Sequence, residues 1–421
     1  MAVVGVKGMN DILPAEIARW RAVESAFRVS MELGGFREVR TPHLEHTALF
    51  VRSIGESTDV VEKEMFSFPH GRDNLTLRPE GTAGAARAYV EHRIANNEPV
   101  TRWYYLGPMF RAETPQRGRY RQFHQAGAEI LGDPGPACDA ELIDGLVRFL
   151  QAIGVPRVTV HINSIGSGDT RTAYARALRD FLEGRASDLS EESRRRLATN
   201  PLRILDSKDP RDQAQLVHAP PVSAFMSDAD RAHFEGVKAH LSALGTPFVV
   251  DPRLVRGLDY YTRTLFELKA DKEELGAGNT IVGGGRYDRM IEELGGPSVP
   301  AIGFAAGVER LLIASELPVQ GPRIDVFVAP IGEAAVGPAL CLARDLRAAG
   351  SSAEVDARGA GMKSLLRRAN NLGARFAVIL GDQELAAGTV QLRDLDGRTQ
   401  DAVPMADAAR IVQERLGRSA S

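Results

Sequence analysis

Apolar residues return at helical spacing early in the chain. Ile17, Trp20, Val23, Phe27 and Met31 follow Pro14, which suits a first helical turn. Gly34-Gly35 supplies a stop, so the pattern predicts a helix over 14–33. "FREVRTP" then alternates like a strand halted by Pro42. "NLTLRPEGT" predicts another strand, leading into a helix from about 83 to 94. "RWYYLGPMFR" and "RQFHQAGAEILG" are aromatic-rich and alternating, with Pro115 and Gly118 between them, which predicts a long hairpin. Leu142, Ile143, Leu146, Val147, Leu150 and Ile153 predict an amphipathic helix over 140–153.

The character changes over 168–245, which read as mostly helical and carry the run Arg194-Arg195-Arg196. Strand patterns resume with "FVVDPRLVRGLDYYTRTLFEL" and "NTIVGGGRYD", and "AIGFAAGVERLLI" reads as a strand running directly into a helix. A helical insertion inside an antiparallel-sheet domain is the expected arrangement. "ELPVQGPR" (316–323) reads as a linker. Beyond it, "DVFVAP", "SAEVDA", "FAVILG" and "GTVQLRD" alternate with helices, an α/β signature for a separate C-terminal domain. Its helix over 361–372 places Met362, Leu365, Leu366, Ala369 and Leu372 on one face and stops at Gly373. The fold class is α+β. The expected domains are 1–167 with 246–320, a helical insertion over 168–245, and a C-terminal α/β domain over 323–421.

Composition narrows the function classes little. The 421 residues are 43% hydrophobic and 25% charged, with a formal net charge of −3, so only local charge clusters speak for a polyanionic partner. Cys138 and Cys341 stand alone, which argues against a disulfide framework or thiolate zinc site and fits a reducing cytosol. The N-terminus lacks the apolar core of a signal peptide, and no apolar run is long enough to span a membrane. "GGG" at 283–285 and "GAGMKS" at 359–364 miss the dinucleotide and P-loop spacings. His43 and His46 have no acidic or thiolate companions for a metal, so no site of protein-only ligands is expected.

The hairpin holds the strongest local signal. Arg111, Arg117, Arg119 and Arg121 crowd its turn. A lone arginine is ordinarily a solvated one. Here the same hairpin also presents Phe123, Gln125, Gly127 and Glu129 on one strand face, with Gln125 and Glu129 about 13 Å apart.

Together, "GMNDILP", "REVRTP", "LTLRPEGT", "FRAE", "RYRQFHQAGAEILG", "LVRGLDYYT", "GGGRYD" and "AIGFAAGVERLLI", in this order, resemble the class II aminoacyl-tRNA synthetases in their histidyl form. The resemblance implies an antiparallel sheet flanked by helices, a C-terminal anticodon-binding domain, and a homodimer paired partly through "REVRTP". It implies activation of L-histidine by ATP, with Mg2+, to histidyl-adenylate, then transfer to the histidine tRNA in the cytoplasm. Arg111 and Arg256 would hold the α-phosphate and Arg310 the γ-phosphate, these three being the catalytic set, with Glu113 and Arg119 also at ATP. Glu129 and Tyr261 would contact the imidazole beside Tyr260. Glu80, Thr82 and Gln125 would take the α-amino and carboxylate groups. Gln116 and Arg117 would lie toward tRNA.

Blander readings stand beside these. The glycine triplet could be a bulge, and Tyr260 and Tyr261 ordinary strand aromatics. Arg194–Arg196, and the Lys363, Arg367 and Arg368 face, could be solvated rather than set against RNA phosphates. A non-catalytic regulatory subunit of ATP phosphoribosyltransferase shares the expected fold, although it is shorter. A plain RNA-binding module is the third possibility.

Overall fold

The computed structural model describes residues 3–55, 58–275, 279–319, 321 and 323–418. The chain divides into two compact units, Arg19–Pro318 with Met1–Ile12, and Val319–Ser421 with Leu13–Ala18. The linker expected over 316–323 includes residues 320 and 322, which lie outside the described residues.

The larger unit is built on an eight-stranded sheet. Its order is Arg37–Glu38, Thr101–Phe110, Gln122–Leu131, Ala301–Gly307, Thr280–Arg286, Thr262–Ala270, Val158–Ser164 and Phe248–Val250. The two outermost pairings are parallel and all inner ones antiparallel. One face is sealed by helices. Phe27 from Pro14–Leu33 meets Tyr104, Phe149 and Phe304 edge-on, with ring centroids 5.8, 5.5 and 6.3 Å away. Phe149 comes from the helix Pro136–Ala152, which starts earlier than periodicity indicates because Pro136 occupies its first turn.

Several sequence expectations need correction. "FREVRTP" yields only a two-residue strand, Arg37–Glu38, on the sheet edge. The stretch 248–268 is not one strand; residues 251–261 are irregular between Phe248–Val250 and Thr262–Ala270. Tyr260 and Tyr261 are therefore not strand aromatics. The helix expected over 83–94 is Thr82–Glu91. Between 168 and 243, helices Gly168–Glu183, Glu191–Thr199, Pro210–Leu216 and Asp228–Ala243 occur, and most of them pack around an apolar cluster that includes Tyr174, Leu178, Leu197 and Ile204.

The smaller unit has a five-stranded sheet ordered Ala353–Val355, Val326–Pro330, Phe376–Leu380, Thr389–Asp394 and Thr399–Pro404. Its first three strands are parallel and the last two antiparallel. Val326 and Val328 pack with Leu342 and Leu346 of the helix Val336–Ala348, while Phe327 and Ala329 pack with Leu365 and Ala369 of Met362–Asn371. The two faces of one strand thus bury against two helices, as strand alternation requires. The polar strand Thr399–Pro404 carried no apolar pattern and was not expected.

Candidate active site

The uncovered face of the large sheet is thinned by small residues. Antiparallel register sets Glu129 opposite Gly303, Gly127 opposite Ala305, and Gln125 opposite Gly307. It sets Gly303 opposite Gly285 and Ala305 opposite Gly283, and Gly283 in turn opposite Glu267. Directly opposed residues share a face. Gly127, Gly283, Gly285, Gly303, Ala305 and Gly307 therefore form a floor of hydrogens and one methyl, from which Gln125, Glu129 and Glu267 project. Above that floor lies a cavity of about 440 Å³.

Three arginines from distant parts of the chain line this cavity: Arg111, Arg256 and Arg310. Arg111 follows the strand Thr101–Phe110. Its Nε donates to the Pro79 carbonyl at 3.0 Å, and its guanidinium lies 5.3 Å from the Phe123 ring centre. Arg256 comes from the irregular stretch. Its Nη1 is 2.5 Å from Glu267 Oε1, while its Nε is buried without a partner among the described residues. A Cβ at Gly283 would collide with that guanidinium, so the first glycine of the triplet is the space in which Arg256 lies. Burial opposes its charge, but Tyr261 and Glu267 outweigh burial and raise its pKa. Arg310 lies in the first turn of the helix Val308–Ala314 and donates from Nε to Thr280 O at 2.9 Å. Burial first, then nearby Arg119, lowers its pKa.

Glu113 and Arg119 line the same cavity, with Arg119 Nη1 4.0 Å from Glu113 Oε2. Gln116 and Arg117 are exposed on the hairpin turn and are not among the lining residues. Arg121 turns away, donating from Nε to Glu113 O at 3.4 Å. The segment around Gly8 supports this turn: Gly8 O accepts from Arg121 N at 2.8 Å and Gln122 N at 3.2 Å.

Thr82, Gln125, Tyr260 and Tyr261 also line the cavity, whereas Glu129, 1% exposed, is not among its lining residues. Tyr105 Oη donates to Glu129 Oε1 at 3.0 Å and Tyr287 Oη to Oε2 at 2.5 Å. Burial pushes this carboxyl up to about 8; the hydroxyls of Tyr287, Thr82 and Tyr105 counter only part of that. Tyr260 and Tyr261 stand beside it, both buried, with ring centroids 4.6 Å apart. Gln125 is 7% exposed, and its Oε1 finds no partner among the described residues.

Glu80 is more committed than its sequence position indicates. Its two oxygens accept from Thr82 N at 2.7 Å and Ala83 N at 2.8 Å, at the positive end of the helix Thr82–Glu91. Burial nonetheless raises its pKa. Each oxygen keeps a second lone pair for a ligand ammonium.

Sequence reasoning missed Tyr105 and Tyr287, which hold Glu129, and also Glu64, Lys208 and Glu267, which line the cavity. A readable signal was the alternation G-x-A-x-G over 303–307, where every second residue is small.

A "Histidyl-tRNA synthetase" family model matches residues 8–311, and an "Anticodon binding domain" model matches residues 325–415. The chain belongs to the histidyl-tRNA synthetase family. It is 57% identical over 417 residues to the histidine–tRNA ligase of Sorangium cellulosum, covering 99% of this chain and 97% of that protein. It is 45% identical to that of Syntrophotalea carbinolica over 99% of both. The crystal structure of apo S. aureus histidyl-tRNA synthetase superposes with a TM-score of 0.82 at 34% identity, covering 98% of this chain and all of that one. Within the histidyl-tRNA synthetase family, such full-length agreement leaves the regulatory-subunit alternative unfavoured. The mixed α+β fold with a C-terminal anticodon-binding domain is the family's own.

Proposed function

We propose that the cavity activates histidine with ATP and passes it to tRNA, so that the chain is a histidine–tRNA ligase. The observation that carries this reading is the meeting of Arg111, Arg256 and Arg310 in one cavity that Thr82, Gln125, Tyr260 and Tyr261 also line.

In the first step the histidine carboxylate oxygen attacks the α-phosphorus of ATP. A carboxyl–phosphate bond forms, the bond to the bridging oxygen breaks, and pyrophosphate leaves. Negative charge gathers on the non-bridging oxygens, so positioned cations supply most of the catalysis. Arg111 and Arg256 act at the α-phosphate and Arg310 at the γ end, with Glu113 and Arg119 beside them. The guanidinium fork suits phosphate oxygens. In the second step the terminal ribose hydroxyl of the tRNA attacks the adenylate carbonyl and AMP departs.

Glu129 and Tyr261 read the imidazole beside Tyr260. Thr82, Gln125 and the spare lone pairs of Glu80 take the ammonium and carboxylate. A buried carboxyl left without an imidazole partner disfavours apolar side chains, by about 10⁴ where a site is built around such a bond. Gln116 and Arg117, exposed on the hairpin turn, face tRNA in this reading. Residues 1–167 with 246–320 serve as the catalytic domain, 168–245 as the insertion and 323–421 as the anticodon reader.

No group of three or more potential metal ligands occurs among the described residues. Mg2+ carried by nucleotide phosphates asks only one or two carboxylates of a protein, and Glu64 and Glu113 line the cavity. These two would hold it, and the ion would neutralise phosphate charge. The reading includes a homodimer joined partly through residues 37–42 and a cytoplasmic location. No helix among the described residues is long and apolar enough to cross a membrane.

Histidine-dependent ATP–pyrophosphate exchange tests the assignment. The intact chain should exchange with histidine and with no other amino acid. Arg256→Ala should lower the rate by about 10²-fold or more at unchanged fold. Near-normal exchange in that variant removes Arg256 from the chemistry, and no exchange in the intact chain removes the reading.

A further inference from the structure

The helix Asp228–Ala243 lies in the helical insertion, yet two of its side chains reach residues of the sheet and of the helix Pro136–Ala152. Asp230 and His233 are one turn apart on one helix face, and both are buried. Each starts a chain of charges. Asp230 Oδ1 accepts from Arg263 Nε at 3.3 Å, and Arg263 Nη1 lies 3.8 Å from Asp288 Oδ2. His233 Nε2 lies 2.9 Å from Asp139 Oδ2, and Asp139 Oδ1 lies 2.7 Å from Arg286 Nη2. Arg286 Nη1 reaches Asp288 Oδ1 at 3.3 Å, which closes the circuit. The side chains of Arg286, Asp139 and Asp230 are fully buried.

Both arms end beside the ring pocket. Arg263 follows Tyr261 by two residues and has φ of 47°, a left-handed conformation that a side-chain-bearing residue adopts only when its surroundings compel it. The compulsion is visible. Its backbone N–H donates to Gly166 O at 2.8 Å, and its carbonyl accepts from Ile165 N at 3.0 Å. Its side chain is pulled between Asp230 and Asp288. The Thr262 hydroxyl accepts from Asp288 N at 3.1 Å, tying the same turn again. On the other arm, Arg286 immediately precedes Tyr287, whose hydroxyl donates to Glu129. Arg286 is also fixed by its donation to the Asp133 and Gly135 carbonyls at 3.0 and 2.9 Å.

We infer that the Asp230–His233 face of this helix is a positioning element for the histidine ring pocket. It acts through Arg263 on the Tyr260–Tyr261 turn and through Asp139 and Arg286 on the Tyr287–Glu129 contact. None of the six network residues is among those lining the cavity, so each acts on substrate only through another residue. The inference rests on the proposed roles of Glu129 and Tyr261. It adds that the pocket's geometry is set from the insertion, whose outer faces remain free for other contacts.

A network serving stability alone would, when broken, lower the amount of folded protein without separating the two substrates. A positioning network separates them, because Arg111 and Arg310 do not depend on it. The test is pyrophosphate exchange with the full chain, titrating histidine and ATP separately. His233→Leu removes the contact to Asp139, and His233→Gln keeps a donor within reach of it. Arg263→Gly removes the other arm while glycine accepts the positive φ without strain, so it remains informative should His233→Leu fail to fold. Expected for His233→Leu and Arg263→Gly is a histidine KM raised about tenfold with the ATP KM within about twofold, and near-normal values for His233→Gln. Parallel rises in both KM values, or an unchanged histidine KM in the folded variants, would overturn the inference. Absence of exchange in the intact chain would bring down the ligase reading and this one with it.

Discussion

Glu129, proposed above as a recognition group, is also a liability to the empty protein. It is buried, it accepts from two tyrosine hydroxyls, and no cation is paired with it among the described residues. Desolvation is the largest influence and lifts its pKa from 4.5 to about 8. The folded chain therefore holds a proton that the unfolded chain has already released between about pH 4.5 and about pH 8. The contribution of this group to stability falls as pH rises through that window and levels off above it. Thermal midpoints of the ligand-free protein should decline from about pH 5 to about pH 8, and the decline should shrink in Glu129→Gln, which cannot titrate. Matching slopes in the two proteins would show that other groups dominate. The same substitution leaves a hydrogen-bonding amide of nearly equal volume. It should raise the histidine KM about tenfold or more while leaving the ATP KM nearly unchanged, because a neutral amide cannot balance an imidazolium. Equal losses for both substrates would place Glu129 outside ring recognition.

At the scale of elements, the pocket exists because strands lose their side chains in register. Gly303 faces Glu129, and a Cβ there would overlap the Glu129 carboxylate; a Cβ at Gly283 would overlap the Arg256 guanidinium. Both glycines have ordinary strand backbones, so alanine is excluded by space rather than by φ. Gly303→Ala should displace Glu129 and act mainly on the histidine KM, whereas Gly283→Ala should displace Arg256 and act mainly on kcat, each by about 10²-fold. Exchange kinetics that failed to split in this way would refute the assignment of floor positions to the two substrates. This level also shows what the sequence made legible. The hairpin, the strand-to-helix unit at 301–313 and the helix over 14–33 were readable because periodicity and turn residues agreed. The stretch 251–261 was not: Tyr260 and Tyr261 have strand-forming side chains, but Asn163 Nδ2 donating to Leu254 O and Arg171 Nη1 donating to Asp259 O hold the chain irregular. Those partners lie roughly ninety residues away, beyond any local pattern. Tyr105 and Tyr287 escaped for a similar reason, since each looks like an ordinary aromatic until its hydroxyl is seen on Glu129.

For the whole molecule, the division into two units sets what each can lose independently. The smaller unit has its own two apolar layers on either side of the strand Val326–Pro330. Its helix Met362–Asn371 carries three cations, and they are not equivalent. Arg368 is occupied, with Nη2 2.5 Å from Glu354 Oε1 and Nε 3.4 Å from Asp356 Oδ2, which sets it apart from the other two. Lys363 and Arg367 are exposed and appear in no ion pair among the described residues. If this unit reads the anticodon stem, these two are its available phosphate contacts. Lys363→Ala with Arg367→Ala should then raise the KM for tRNA in aminoacylation several-fold. It should also flatten the dependence of log affinity on log salt by about 1 for each contact removed. Pyrophosphate exchange, which needs no tRNA, should be untouched, because both residues lie outside the unit that contains Arg111, Arg256 and Arg310. Arg368→Ala should instead lower thermal stability through loss of its ties to Glu354 and Asp356, with little effect on the salt slope. An unchanged slope in the double variant would assign RNA binding by this unit to another face of its sheet.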